Sequence, residues 1–89
     1  MRAIVTVIGK DRVGIIASVC SLLAESGVNI LDISQTVLQE YLTMIMLADI
    51  SGCTAPFSEL SKTLSVCGEE QGLSIRIQRE DIFEAMHRI

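Results

Sequence analysis

Tryptophan is absent, and tyrosine and phenylalanine together supply three residues of 89. The core must therefore be built from aliphatic side chains, and a surface that stacks on unpaired bases has almost nothing to stack with. Positive charge is also scarce: seven Lys and Arg stand against eleven Asp and Glu, a net charge of −4. A duplex-binding domain needs a basic face, so no nucleic acid is expected as partner. No apolar run reaches the roughly 18–20 residues that cross a bilayer. The first residues also lack a basic segment followed by a long apolar core and a small-residue cleavage site. No membrane partner is expected, and the expected compartment is cytoplasmic. The single histidine, His87, and the three cysteines, Cys20, Cys53 and Cys67, form no Cys-x-x-Cys pair and no ligand cluster with a metal spacing. An odd count beside apolar segments predicts buried, reduced thiols, and neither a metal nor another cofactor is expected.

What is present is aliphatic bulk: 49% of the residues are apolar. A chain this short makes one small domain that buries roughly 60–65% of its unfolded surface. Arg2 to Ile8 is apolar on both sides except at Thr6 and reads as a central strand. Gly9 ends it, and Asp11 is placed as a helix N-cap. A helical pattern follows from Val13, with Ile16, Val19, Cys20 and Leu23 on one face and Gly27 as the stop. Asn29 to Leu38 alternates, with Leu31, Ile33 and Val37 opposite Asp32, Ser34 and Thr36, which predicts a strand with one wet side. After Gln39-Glu40, Tyr41 to Ile50 reads as a second central strand. Ser51 to Ala55 is a loop, and Pro56 is placed in the first turn of a second helix. Phe57, Leu60, Leu64 and Cys67 mark that helix until Gly72. Leu73, Ile75 and Ile77 then alternate with polar residues in a last strand.

The order β-α-β-β-α-β predicts an α+β, ferredoxin-like sandwich: a four-stranded antiparallel sheet with two helices on one face. Strands 1 and 3 would be central and would show an apolar stripe to water on the sheet's other face. Such a patch marks an interface, and a second copy of the chain is its simplest cover. A short C-terminal helix over 80–89 is also expected. Its stripe of Ile82, Phe83, Met86 and Ile89 must dock, because ten helical residues alone are unstable in water. Ile82, Phe83 and Met86 are candidate interface residues, on this chain's sheet or a partner's.

With this element order and Gly9-x-Asp11-Arg12-x-Gly14-Ile15 after strand 1, joined by Gly27-Val28-Asn29-Ile30 at the start of strand 2, the chain resembles an ACT domain. The resemblance covers residues 1–79, leaving 80–89 as a C-terminal helical extension. That ending resembles a set of small standalone bacterial and archaeal ACT proteins with no assigned reaction. Val13 departs from the pattern, since many ACT domains have proline there. The resemblance implies a regulatory module, not an enzyme, that forms a homodimer and binds a free amino acid at the loop between strand 1 and helix 1. A ligand-free docking module acting on a metabolic enzyme or regulator is the alternative.

The residues suit the first reading. Backbone N–H groups of Val13, Gly14 and Ile15 could hold a carboxylate at a helix start. Asp11 could pair with an ammonium group, and Asn29, beside Ile30, could bond to the ligand. The negative charge of Asp11 disfavours phosphate and favours a zwitterion. Rival chemistries of the same architecture lack their signatures. The anion loop of acylphosphatases is missing although Arg12 and Asn29 are available, and no nucleophile–base pair can be named. Of the strand aromatics that bind RNA, only Tyr41 is present.

Overall fold

The computed structural model describes residues 1–10 and 13–81. Its elements are β1 (Arg2–Lys10), α1 (Ile15–Glu25), β2 (Asn29–Leu38), β3 (Tyr41–Asp49), α2 (Phe57–Gln71) and β4 (Ser74–Arg79). The strands form one antiparallel sheet in the order β2-β3-β1-β4. This is the expected ferredoxin-like sandwich, with the two strands that are apolar on both sides in the middle. Of the expected C-terminal helix, Glu80 and Asp81 have helical backbone. Residues 82–89, including Ile82, Phe83, Met86 and His87, lie outside the described residues.

Register fixes what each face carries. Val5 stands opposite Met46 and Ile77, and Val7 opposite Met44 and Ile75. With Ala3, Leu42 and Ala48 they form the buried floor on which the helices sit. The helices supply Ile15, Val19 and Leu23 from α1 and Leu60 and Leu64 from α2. The buried stripe of α1 is therefore rotated from the expected one: Ile16 is exposed and Cys20 only half-buried. The cause is the helix start. Gly14, not Asp11, is the N-cap, with φ 91°, so the helix begins at Ile15 and turns that side chain inward. Cys53 and Cys67 are also free and half-buried rather than buried. Pro56 sits one residue earlier than expected, at the cap of α2, where its carbonyl accepts from the N–H groups of Glu59 and Leu60.

The opposite face of the sheet is open. Ile8, Tyr41 and Ile45 are exposed there and Ile4 and Leu47 half-buried, as expected of strands 1 and 3. The edge strand β2 is wetter than its alternation suggests. A bulge between Ile30 and Asp32 inserts Leu31 and shifts the phase. Ile33 and Val37 then pair with Met46 and Leu42 on the helix side, while Asp32, Ser34 and Thr36 join the open side. Among the described residues no helix covers this edge: Leu31 is 46% exposed, Ile33 41% and Val37 52%. The strand is wet on both sides.

Helix α2 packs on β4 through Gly68, a residue the apolar periodicity does not mark. A Cβ there would lie 2.7 Å from the carbonyl oxygen of Leu73, whose N–H donates to the Gly68 oxygen at 2.7 Å. Backbone, not a flexible side chain, blocks the space. Gly68→Ala is expected to cost about 1–3 kcal/mol, read as a lower urea midpoint. An unchanged midpoint would show that α2 lifts off β4 without strain.

Candidate functional site

The β1–α1 connection places a helix start at one end of the sheet. Asp11 and Arg12 lie outside the described residues; the rest of the loop is defined. Gly14 takes the left-handed conformation, and a Cβ built there would meet none of the described residues within 4 Å. Glycine is required by the backbone turn, not by close packing of helix on sheet.

The first helical hydrogen bond runs from Ser18 N–H to the Gly14 oxygen at 2.9 Å. The first-turn N–H groups without an intrahelical partner are therefore those of Ile15, Ile16 and Ala17, two residues later than the expected Val13, Gly14 and Ile15. Among the described residues no side-chain cap bonds to them, and no acidic side chain stands in the first turn. Ile15 is buried and anchors the turn, whereas Val13 projects wholly into solvent.

Asn29 is not beside this loop within one chain. It pairs with Asp49, whereas Lys10, which leads into the loop, pairs with Tyr41 at the other end of β3. Roughly 25 Å of strand separates the two ends. Asn29 is exposed, and Ile30 is half-buried against the core. Asp32 bonds its own neighbour, accepting from the Ile33 N–H at 2.9 Å. Ser34 and Gln35 stand exposed along the edge.

Two polar clusters escape a reading of the sequence, because their members are distant along the chain. Near the start of α1, Gln71 Nε2 donates to Ser18 Oγ at 3.0 Å and lies 3.1 Å from Cys67 Sγ, joining the ends of the two helices. At the Asn29 end, the Met1 ammonium donates to Ser51 Oγ at 2.6 Å and lies 3.7 Å from Asp49 Oδ1. Asp49 is held below the ordinary 3.8. The Ser51 N–H is the main cause, donating to Oδ1 at 2.9 Å, followed by the Ser51 hydroxyl, with a smaller contribution from the ammonium.

A sequence profile of the ACT domain matches residues 2–78. The chain belongs to the ACT-domain family. ACT domains are generally regulatory ligand-binding modules that commonly dimerise. This one is 56% identical over 89 residues to a UPF0237 protein of Clostridium acetobutylicum, covering 100% of both chains, and UPF0237 relatives extend to the archaeon Methanocaldococcus jannaschii. Among solved structures, an ACT domain protein from Streptococcus pneumoniae is similar at TM-score 0.82 and 46% identity over 98% of each chain. A formyltetrahydrofolate deformylase from Pseudomonas syringae is similar at TM-score 0.76 and 25% identity, over 88% of this chain but 27% of that one. The same ACT fold thus fills one relative and is a minor part of the other. Among the described residues, no group of His, Cys, Asp and Glu could hold a metal, and no helix is long and apolar enough to cross a membrane.

The lowered Asp49 pKa sets a pH dependence. A folded-state pKa below the unfolded one contributes stability that is present above 3.8 and is lost as pH falls through the folded value. Urea unfolding between pH 2 and pH 6 is expected to show an acid-side loss of stability, and Asp49→Asn should remove part of it. Identical pH profiles for the two proteins would contradict this.

Proposed function

We propose that this ACT domain is a regulatory, non-catalytic sensor of a free amino acid, bound at the β1–α1 loop of a homodimer. The observation that carries the reading is the first turn of α1, which no described side chain caps, beside Gly14, where no described residue lies within 4 Å of the Cβ position. Backbone N–H groups of Ile15 and Ile16, with Gly14 allowing close approach, would receive the ligand carboxylate. Asp11 would pair with its ammonium group. Phosphate would meet the same donors but be repelled by that carboxylate.

The uncovered edge supports the dimer. A ten-residue edge strand, paired on one side only among the described residues and with exposed Leu31, Ile33, Val37 and Leu38, is a template for strand addition. Antiparallel pairing of β2 with β2 of a second copy, about a two-fold axis, would cover these residues. It would also bring Asn29 and Ile30 of the second copy to the end of the sheet that carries Gly14. The separation of Asn29 from the loop within one chain thereby becomes a reason for the dimer. Ligand binding would favour the paired state and so alter contact with a metabolic enzyme or regulator.

Thermal unfolding of the intact protein with each of the twenty amino acids tests the proposal. A ligand at 100 times its dissociation constant adds about 2.7 kcal/mol, roughly 10–20 °C in Tm for a domain of this size. No shift with any of them, in protein shown to be folded, overturns amino-acid sensing and leaves the ligand-free docking module. Gly14→Ala should lower basal stability by about 1–2 kcal/mol, because its left-handed backbone resists a side chain, and should abolish the shift. Asn29→Ala should weaken the ligand effect while leaving unfolding without ligand unchanged, since that side chain is exposed.

A further inference from the structure

We propose that the open face of the sheet is a second self-association surface, on which another copy of this chain stacks with its strands aligned, β2 of each copy lying over β4 of the other. The face has an apolar middle and polar borders. Across the sheet, register lines up Ser34, Ile45, Thr6 and Arg76 in one row, and Asp32, Leu47, Ile4 and Gln78 in the next. Ile8, Tyr41 and Ile45 are 48%, 51% and 42% exposed on this side, and both described helices pack on the other. An apolar centre with a polar rim is the anatomy of an interface. The proposal goes beyond the ligand site and does not depend on binding at Gly14.

Charge complementarity selects a second copy as the occupant. The two borders carry opposite signs: Asp32 stands on the β2 side and Arg76 on the β4 side, both exposed. Sheets that pack face to face keep their strands within about 30° of each other. A two-fold axis running along the strands, between β1 and β3, sets β1 over β3 of the second copy and β4 over its β2. Ile4 then meets Leu47, Thr6 meets Ile45, and Arg76 falls over Ser34, one step along the strand from Asp32. At the ends of the face, Arg2 comes over Asp49, and Lys10 over the ring of Tyr41, a cation–π pairing. Each contact occurs twice, as an isologous pair requires. The other in-plane axis, across the strands at the same centre, sets Arg76 on Arg76 and Arg2 on Lys10, and like charges reject it. Arg2 already grips Glu80, at 3.0 and 2.7 Å, and Asp49 lies 3.7 Å from the Met1 ammonium. The meeting of Arg2 with Asp49 therefore joins two partly exposed pairs and leaves no lone charge buried.

Sedimentation equilibrium of the intact protein without ligand tests it. Self-association is expected. Ile45→Asp should weaken it by about thirtyfold or more, the loss expected of a central anchor. Arg76→Glu, which sets like charges beside Asp32 of the second copy, should weaken it about tenfold, and adding Asp32→Arg should restore it. Restoration is specific to this face, because in pairing through β2 the Arg76 strand lies three strands away from the contact. If circular dichroism shows that Ile45→Asp does not fold, the charge pair decides. A parent that stays monomeric overturns the proposal, whether the chain itself covers the face, read as no binding of an apolar-surface dye, or nothing does, read as strong binding. Association that Arg76→Glu leaves unchanged, or that Asp32→Arg fails to restore, places the contact elsewhere and also overturns it. None of these results bears on amino-acid sensing, which the thermal shifts decide.

Discussion

Everything in this molecule follows from two helices covering one face of a four-stranded sheet. Antiparallel register puts Ala3, Val5 and Val7 beside Met44, Met46 and Ala48 under those helices. The same alternation necessarily turns Ile4, Ile8, Ile45 and Leu47 the other way. A sheet whose central strands are apolar on both sides cannot be satisfied by one layer of helix. The remaining surfaces, the open face and the β2 edge, are distinct and need distinct covers. A strand of the same kind suits the second.

The element order, the central position of strands 1 and 3 and the apolar stripe on the open face were legible in the sequence, because each rests on period-2 or period-3.6 alternation. The details that position the site were not. Asp11 has the right side chain for a cap, but Gly14 imposes a left-handed turn that starts the helix later and rotates its buried face from Ile16 to Ile15. The bulge at Leu31 is one inserted residue in a strand whose alternation reads acceptably without it. Gly68 looks like an interruption in α2, and only the proximity of the Leu73 carbonyl explains it. The distance from Asn29 to Gly14 is a matter of strand direction. The two lie at opposite ends of the sheet, although both flank α1 in the chain.

That distance changes how the loop is understood. A helix start that no described side chain caps supplies donors for a carboxylate but little selectivity, since any anion meets the same N–H groups. Selectivity must come from groups brought to it, and in one copy of this chain the described residues bring none to the first turn. On the proposed reading, one copy would hold half a site. Pairing at β2 would then have two effects at once: it would cover an exposed edge and bring further donors and acceptors to the helix start. Coupling between ligand and assembly would follow from linkage alone, without a conformational switch inside the subunit.

The place of β1 has a consequence for how the chain is made. Of the four strands, β1 comes first in the chain yet lies in the middle of the sheet, and one of its two neighbours is β4, the last of the four. Until β4 is available, the β1 edge with its run of valine and isoleucine stays open, and Arg2 lacks the carboxylate of Glu80. Closing this sheet therefore needs its pairing of longest sequence separation, the kind of contact that slows folding, and until it forms β1 presents the same kind of free edge that β2 offers in the finished sheet.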